Sequence, residues 1–215
     1  MNCSLKKSIK NLVCLLLIVL SSSGFADQQM KIILFGDSLM AGYGLTQNEN
    51  LATTLKAKFE QDKQNVAIIN ASVSGNTSSN GLARIDWSLE DKPNVVVLCL
   101  GANDMLRGIN PQHTKENLSA LITTIKQSGV VVVFAGMRAP ISMGEEYQSQ
   151  FDQLYPDLAK EHDLIFMPFL LEDVALEEKH LQRDYKHPNA LGVEIIADNL
   201  YPYLLESVAI LQETH

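Results

Sequence analysis

Residues 31–45 of the chain read KIILFGDSLMAGYGL, a run of four apolar residues that leads directly into Gly36, Asp37 and Ser38. The apolar residues are consecutive rather than alternating with polar ones, which is the pattern of a parallel β-strand buried on both faces. A serine directly after such a strand is either an exposed nucleophile or a hydroxyl that caps the next helix. This stretch therefore predicts the first strand of an α/β fold and marks Ser38 as a candidate functional residue.

The same apolar pattern recurs along the chain, and segments with helical periodicity separate its copies. Strands are predicted at residues 31–35, 66–70, 95–100, 130–136 and 164–168. Helices are expected near residues 49–62, 78–90, 112–128 and 145–161, and from Asn189 towards Leu211. Strands that alternate with helices connect by right-handed crossovers and form a parallel sheet covered on both faces. The sequence thus predicts an α/β fold, a three-layer α/β/α sandwich around a central, mostly parallel five-stranded sheet.

Residues 1–26 have the three parts of a secretory signal peptide. Three lysines among the first ten residues give a positive start, residues 12–20 are an uninterrupted apolar run, and residues 21–26 (SSSGFA) end in small residues. The apolar run is too short to cross a bilayer, which needs about 20 residues. We therefore expect export to the periplasm or beyond the cell, with residues 27–215 forming a single domain that has no stable membrane anchor.

Charge and cysteine content narrow the function of this domain. The chain has 17 basic and 25 acidic residues, a net charge of −8, and removal of residues 1–26 takes away three lysines and leaves −11. Such an acidic domain is a poor partner for nucleic acid or for anionic membrane surfaces. Cys99 is the only cysteine after residue 26, so no disulfide can form within the domain. No CxxC motif occurs and the histidines are scattered, so we expect no metal site, and we expect a monomer.

Three polar, glycine-containing stretches follow the first three predicted strands. They are residues 36–44 (GDSLMAGYG), 70–81 (NASVSGNTSSNG) and 101–108 (GANDMLRG). In open parallel sheets, ligands bind beyond the carboxyl ends of the strands. The three stretches are therefore expected to lie along one edge of the sheet and to form the functional site.

The glycines around Ser38 do not fit the common phosphate or nucleotide loops. A P-loop would have glycine at position 41, which is alanine, and a dinucleotide fingerprint would need glycine at position 47, which is glutamine. The GxSxG nucleophile elbow would need glycine at position 40, which is methionine. Taken alone, Ser38 is most often a helix cap, and a nucleophilic role requires a base elsewhere in the chain.

The best candidate base is His187, in the segment QRDYKHPNALG (182–192). Asp184 precedes it by three residues and Pro188 follows it, which suits a tight turn. In such a turn the carboxylate can reach one ring nitrogen while the other faces outward. Taken alone, a histidine in such a segment is more often a solvated loop residue than a catalytic base.

Acyl transfer also needs hydrogen-bond donors for the developing oxyanion. Gly75 can offer its backbone N–H at a place where a side chain would block close approach, and Asn103 can offer its side-chain amide. Taken singly, either residue is better explained as an ordinary turn residue. Together with Ser38, Asp184 and His187 they occur in a consistent order around the predicted strands, which favours a serine hydrolase.

Four blocks of the chain resemble, in order and spacing, the four motif blocks of the SGNH (GDSL-type) hydrolase family. They are GDSLMAGYGL (36–45), NASVSGNTSSNGLARI (70–85), GANDMLRGI (101–109) and DYKHPN (184–189). The likeness spans about residues 31–200 and is greatest to the exported bacterial arylesterases, lysophospholipases and acyl-CoA thioesterases of that family.

The resemblance implies a flavodoxin-like SGNH hydrolase fold and a serine esterase that acts on carboxylic esters and thioesters of acyl chains without a cofactor. It implies Ser38 as the nucleophile, His187 as the base and Asp184 as its orienting carboxylate. It places Gly75 and Asn103 with the Ser38 N–H in the oxyanion hole.

The chain departs from the usual family pattern at two places. The last block commonly has small or apolar residues between its aspartate and histidine, whereas Tyr185 and Lys186 are larger and more polar. Ala102 stands where relatives often have a second glycine. The first departure makes the surface near His187 unusual without affecting the catalytic pair.

Apolar residues after the third and fourth predicted strands are candidates for binding the acyl chain. They are Ile109, Ala139, Pro140, Ile141 and Met143, and ordinary loop packing explains them equally well. A carbohydrate O-deacetylase is the alternative within the family, although Trp87, the one tryptophan, is expected on a helix away from the site. A non-catalytic periplasmic binding module is the alternative from another class.

Overall fold

A computed structural model describes residues 29–213 of the protein. These residues contain a five-stranded sheet in which every strand pairing is parallel. Its strands are β1 (Met30–Gly36), β2 (Val66–Asn70), β3 (Val95–Cys99), β4 (Val131–Ala135) and β5 (Ile165–Met167), in the order β2-β1-β3-β4-β5. The five predicted strands are confirmed to within one residue at each end. The sheet is wholly parallel, where a mostly parallel one was expected.

Helices cover both faces of this sheet and complete the predicted three-layer sandwich. They are α1 (Ser38–Ala41), α2 (Leu51–Gln61), α3 (Ser78–Leu82), α4 (Ile85–Leu89), α5 (Ala102–Leu106), α6 (Pro111–Gln127), α7 (Glu145–Glu161) and α8 (Ala190–Glu213). Helix α2 packs against α8, while α6 packs against α3, α4 and α7. Within the described residues, no helix has both the length and the apolarity that crossing a membrane requires. The signal peptide predicted for residues 1–26 lies outside the described part of the chain.

Strands β1 and β3, which are neighbours in the sheet, lie in the fully buried part of the core. Residues 32–35 of β1 and 95–98 of β3 have no exposed surface. Burial of an aliphatic or aromatic side chain of this size stabilises a fold by about 1.5–3 kcal/mol. The consecutive apolar residues of these strands are therefore explained by burial on both faces.

One predicted helix is wrong, because residues 78–90 form two short helices instead of one. Helix α3 ends at Leu82, and Arg84 leaves the helical conformation with φ −128° and ψ 0° before α4 begins at Ile85. The Arg84 guanidinium donates to the carbonyl of Gly36, the last residue of β1, and to that of Ala71, which directly follows β2. These tertiary hydrogen bonds accompany the break, and local sequence does not reveal them.

The order of the strands creates a crevice at one edge of the sheet where a ligand can bind. The chain passes from β1 to β2 on one side and then returns to β3 on the other side of β1. The carboxyl ends of β1 and β3 therefore lie at the switch point of an open α/β sheet, which is its usual binding crevice. Ser38 follows β1 at this point, and Asn103 follows β3.

Gly101 joins β3 to α5 in a conformation that allows no larger residue. Its φ is +116°, and an added Cβ would lie 2.2 Å from the Tyr155 hydroxyl oxygen. That hydroxyl is buried and donates to the Leu100 carbonyl at 3.0 Å. The glycine thus lets α7 pack closely against the end of β3.

We predict that Gly101→Ala lowers the free energy of unfolding by about 3 kcal/mol, because it combines a left-handed φ with a steric clash. Gly129→Ala is the matched control, since Gly129 has φ +74° and open space around its Cβ position. It should cost only about 1–2 kcal/mol from backbone strain. Chemical denaturation measures both values, and equal losses in the two variants would contradict the packing argument.

Candidate active site

Ser38 is the first residue of α1, directly after the buried end of β1. The cap of this helix is Asp37, whose Oδ1 accepts from the Leu39 N–H at 3.0 Å. Helix capping therefore does not explain Ser38. At the other end of α1, the Asn70 amide donates to the carbonyls of Met40 and Ala41, which ties the helix to β2.

Ser38, His187 and Asp184 form one chain of hydrogen bonds. The distance from Ser38 Oγ to His187 Nε2 is 2.8 Å, and that from His187 Nδ1 to Asp184 Oδ2 is 2.6 Å. Ser38 and His187 are 149 positions apart in sequence, and the fold brings them into contact. The three side chains thus have the connectivity of a nucleophile, a base and an orienting carboxylate.

The charge on Asp184 determines which ring nitrogen of His187 carries the proton. Hydrogen bonding to His187 lowers the pKa of Asp184 to about 2, so the carboxylate is ionised at neutral pH and can only accept hydrogen bonds. His187 Nδ1 must then donate to it, which leaves Nε2 free to accept the Ser38 proton. The same carboxylate also accepts from the backbone N–H groups of Lys186 and His187, which fixes the turn.

Gln182 and Tyr43 hold the His187 turn against α1. The Gln182 N–H donates to the His187 carbonyl at 2.8 Å and closes the loop. Its side-chain amide donates to the carbonyls of Tyr43 and Pro188. The Tyr43 ring lies over the imidazole, with ring centroids 4.5 Å apart. The position of His187 is therefore set partly by contacts with Tyr43, in the segment that follows Ser38.

Ser38 and Gly75 line the same cavity, and each has a backbone N–H without a protein acceptor in the described residues. Within residues 29–213, neither the Ser38 N–H nor the Gly75 N–H makes a hydrogen bond to the protein. Gly75 has φ +81°, and an added Cβ would meet no atom within 4 Å. The left-handed backbone conformation therefore favours glycine at this position. Arg107 holds the Gly75 loop by donating to its carbonyl at 2.9 Å.

Asn103 lies between Asp37 and the Gly75 loop. Its side-chain nitrogen donates to Asp37 Oδ2 and to the Asn76 carbonyl, at 3.1 Å each. Both acceptors are oxygens, so the orientation of the amide is fixed and both its hydrogens are engaged. The structure places Asn103 in α5, just after β3 as expected, and gives its amide partners that the sequence did not indicate.

Arg84 connects the strand that precedes the serine to the loop that contains Gly75. Besides the carbonyls of Gly36 and Ala71, it donates to Asn76 Oδ1 at 2.6 Å. Its guanidinium also lies 3.9 Å from the centre of the Phe35 ring. Sequence reasoning missed this residue, although its place in the second motif block was a signal that could have suggested a role.

Asp37 is a buried carboxylate beside the serine, with only 2% of its surface exposed. Burial raises its pKa to about 6, although hydrogen bonds from Leu39 and Asn103 act in the opposite direction. A carboxyl group with this pKa changes charge between mildly acidic and neutral pH. Asp37 also caps α1, which begins with Ser38, and orients the amide of Asn103. The positions of both Ser38 and Asn103 therefore depend on this carboxylate.

The Ser38 side chain opens into a cavity of about 790 Å³. Most of the residues that line it are apolar, and they come from the segments after β1, β3, β4 and β5 and from the turn of His187. Among the predicted acyl-binding residues, Ala139, Pro140 and Ile141 line this cavity. Drug-sized ligands occupy cavities of similar volume and character.

The structure does not place Ile109 or Met143 on this cavity, which corrects the expectation for both. Ile109 is half-buried, and its carbonyl accepts from the Tyr147 hydroxyl at 2.8 Å. Met143 packs against the hydrophobic core. From the same segments, Met105 and Leu106 line the cavity, and Leu171 and Leu176 join them from the loop after β5.

Trp87 is on α4 and does not line the cavity, as expected. Its side chain is exposed. No group of three histidine, cysteine, aspartate or glutamate side chains in the described residues could hold a metal ion. Cys99 is buried at the end of β3 and is a free thiol.

The model of the GDSL-like lipase/acylhydrolase family matches residues 34–195, a range that contains every element of the site. The chain is therefore a hydrolase of ester bonds, and it belongs to the GDSL-like (SGNH) family that its motif blocks resembled. Its five-stranded parallel fold is that of this family.

Relatives of the chain are named as esterases and thioesterases. An arylesterase of Vibrio mimicus is 36% identical over 91% of this chain and all of its own length. Thioesterase 1/protease 1/lysophospholipase L1 of Escherichia coli K12 is 36% identical over 78% of this chain and 79% of its own. A solved SGNH-hydrolase family esterase, AlinE4, is 38% identical with a TM-score of 0.71, over 84% of this chain and 97% of its own.

We predict that the stability of the protein depends on the protonation of Asp37. The folded-state pKa is raised, so the folded protein binds the proton more tightly than the unfolded chain between pH 4 and 6. The free energy of unfolding of the parent minus that of Asp37→Asn should therefore fall by about 2 kcal/mol between pH 4 and pH 7. Urea denaturation at several pH values measures this difference.

Asp157→Asn is the control for this pH dependence. A hydrogen bond from Gln153, together with Lys115, lowers the pKa of Asp157, so its contribution is present above pH 4 and is lost only as the pH falls further. Its difference from the parent should not decrease between pH 4 and pH 7. If the Asp37→Asn difference were flat or rose with pH, the assignment of a raised pKa to Asp37 would be wrong.

Proposed function

We propose that the protein is a serine esterase that hydrolyses carboxylic esters, and thioesters, of acyl chains through an acyl-enzyme on Ser38. The observation that carries this proposal is the chain of hydrogen bonds from Ser38 through His187 to Asp184 at the mouth of an apolar cavity. The names of the relatives, an arylesterase and a thioesterase/lysophospholipase, support the same substrate classes.

In the first half of the reaction, Ser38 Oγ attacks the carbonyl carbon of the ester while His187 Nε2 accepts its proton. The ionised Asp184 stabilises the imidazolium that forms. The tetrahedral intermediate then collapses, the bond to the leaving oxygen or sulfur breaks, and His187 returns the proton to the leaving group. In the second half, water takes the place of Ser38, and the acid is released.

The oxyanion hole in this proposal consists of the Ser38 N–H, the Gly75 N–H and the Asn103 amide. The first two donors have no protein acceptor within residues 29–213 and are ready to bind the oxyanion. Asn103 must share or redirect one of its N–H bonds, because both now go to Asp37 and Asn76. Each donor of this kind is typically worth about 2.7–4 kcal/mol of transition-state stabilisation.

We assign the acyl chain to the apolar part of the cavity that contains Ala139, Pro140 and Ile141. Ile141 is 79% exposed, so an acyl chain could cover a side chain that the fold leaves in water. Each buried methylene group contributes about 0.8 kcal/mol. The substrates proposed are therefore small acyl esters and thioesters whose chain is long enough to reach this surface.

The proposal includes export and a monomeric state. Residues 1–26 carry the charge and apolar pattern of a signal peptide, which supports a periplasmic or secreted location. The acidic balance of the domain argues against nucleic acid as a partner.

Ser38→Ala is expected to abolish hydrolysis of p-nitrophenyl butyrate, because it removes the nucleophile. It should also prevent labelling by a fluorophosphonate, which reacts with activated serines. Asp184→Asn should lower kcat by about 10³–10⁴-fold, since an amide cannot hold the imidazole in the required tautomer. Initial rates and intact-protein mass spectrometry measure these effects. Full activity in Ser38→Ala would refute the mechanism.

The rate of hydrolysis should rise with acyl length from acetate until the cavity is filled. We expect kcat/KM to increase by up to about fourfold per methylene group, the equivalent of 0.8 kcal/mol. Ile141→Ala should flatten this dependence, whereas Ile210→Ala, at an exposed site on α8 away from the cavity, should not. Activity confined to acetate esters would favour a carbohydrate O-deacetylase instead.

A further inference from the structure

Asp104 is a buried carboxylate that the proposed reaction does not use. It directly follows Asn103 in α5, and none of its surface is exposed. Its Oδ2 accepts from the Ser78 N–H at 2.8 Å, and its Oδ1 accepts from the Ser78 hydroxyl at 2.5 Å. No lysine or arginine in the described residues forms an ion pair with it. Because a buried charge without a counter-ion is costly, the hydrogen bonds to Ser78 are what stabilise it there.

Ser78 is the first residue of α3 and lies three positions after Gly75. It is also fully buried, and the Asn117 amide of α6 donates to its hydroxyl oxygen at 3.0 Å. The hydroxyl therefore donates to Asp104 and accepts from Asn117, so its orientation is fixed. The short distance in sequence means that the place of Ser78 limits where the Gly75 N–H can lie.

Two other hydrogen bonds join α5 and the residue after it to the Gly75 loop. Asn103 donates to the Asn76 carbonyl, and Arg107 donates to the Gly75 carbonyl. The Arg107 bond is exposed and the Asn103 bond is partly buried, whereas both bonds of Asp104 are buried. In the proposed reaction, Asn103 must also share or redirect an N–H. Asp104 is thus the link that stays unchanged while the oxyanion forms.

The charge of Asp104 does not itself favour the reaction. Burial is the main cause of the raised pKa of Asp37, and the negative charge of Asp104 adds to it. The field of Asp104 thus reaches the residue beside Ser38. At that range it opposes the negative charge that develops on the ester oxygen. A favourable contribution of Asp104 must therefore come from its hydrogen bonds.

We propose that Asp104 is a positioning residue that sets the Gly75 N–H and the Asn103 amide at the separation that the oxyanion requires. This inference rests on the proposed function, because it assigns a role within the same oxyanion hole. Asn103 and Asp104 are consecutive, so one short helix carries an oxyanion donor and the group that anchors the loop of the other donor. The two donors then keep their geometry without a direct contact between them.

Asp104→Asn should lower kcat for p-nitrophenyl butyrate by about 10²-fold while KM stays within about twofold. An amide oxygen cannot accept from both Ser78 donors at the two places that the carboxylate oxygens occupy, and a displacement of about 1 Å can cost this much. Ser78→Ala keeps the charge and the backbone hydrogen bond, so it should lower kcat by only about tenfold. Loss of the negative charge alone would change kcat in the opposite direction.

A pair of ketones separates positioning from a loss of folded protein. Ser38 Oγ adds to the carbonyl carbon of pentyl trifluoromethyl ketone, His187 takes the serine proton, and the carbonyl oxygen becomes an oxyanion in the hole. Pentyl methyl ketone, which forms no stable adduct, has the same chain. The inhibition constant of the first should rise in proportion to the loss of kcat, and that of the second should stay unchanged. Partial unfolding alters neither constant, since only folded protein binds.

Two variants serve as controls. Thr114 is buried and donates to Asp104 Oδ1 at 3.4 Å, so Thr114→Val changes the surroundings of the carboxylate without removing its bonds to Ser78. It should keep kcat within about twofold of the parent. Gly129→Ala, on the turn before β4, lowers Tm away from the site and should keep both inhibition constants.

The inference is overturned if the trifluoromethyl ketone binds Asp104→Asn and Ser78→Ala as tightly as the parent, or if kcat rises in Asp104→Asn. Should Asp104→Asn not fold, Ser78→Ala alone decides, with the same criterion. Ser38→Ala is measured on the same ester to keep the two proposals apart. Retained hydrolysis in that variant would refute the serine mechanism, whereas its inactivity beside parent-like Asp104 and Ser78 variants would remove only the positioning role.

Discussion

The buried carboxylate of Asp37 is the interaction on which the site depends. One of its oxygens fixes the first turn of α1, and the other holds Asn103, which in turn holds the backbone of Asn76. Arg84 reaches Asn76 from the opposite side and also bonds the Gly36 carbonyl at the end of β1. The ends of three neighbouring strands are therefore joined by one polar network. Such networks are stable only when each member finds a partner, which makes the arrangement specific.

His187 is held by a separate set of contacts, formed near the C-terminal end of the described residues. His187 lies in a short closed loop that Asp184 and Gln182 fix through their hydrogen bonds, and Tyr43 supplies a contact from the serine side. Asn189 begins the link to α8 by accepting from the Gly192 N–H. The loop is thus anchored to a long helix, so that an exposed segment can keep its histidine within 2.8 Å of Ser38.

The parts of the structure that depend on local pattern could be predicted from sequence, and those that depend on distant partners could not. Consecutive apolar residues identify buried parallel strands. The four motif blocks predict, without a structure, that Ser38 and His187 lie close together. The break at Arg84 arises from hydrogen bonds to residues of other segments. Which residues line the cavity depends on the path of each loop. For this reason Leu176, which was not predicted, lines the cavity, whereas Met143, which was predicted, does not. The place of Asn103 just after the third strand could be expected from sequence, but its hydrogen bonds to Asp37 and Asn76 depend on the packing of three loops.

Many of the exposed hydrophobic side chains lie at the entrance of the cavity. Among the nine large hydrophobic side chains that are exposed in the described residues, five line it: Tyr43, Leu106, Ile141, Leu176 and Tyr185. When a ligand covers these groups, the heat capacity of the system falls, because apolar surface leaves water. The enthalpy of binding must then become more negative with rising temperature. Warming the protein would thus shift the driving force for occupying the entrance from the release of ordered water towards direct contact.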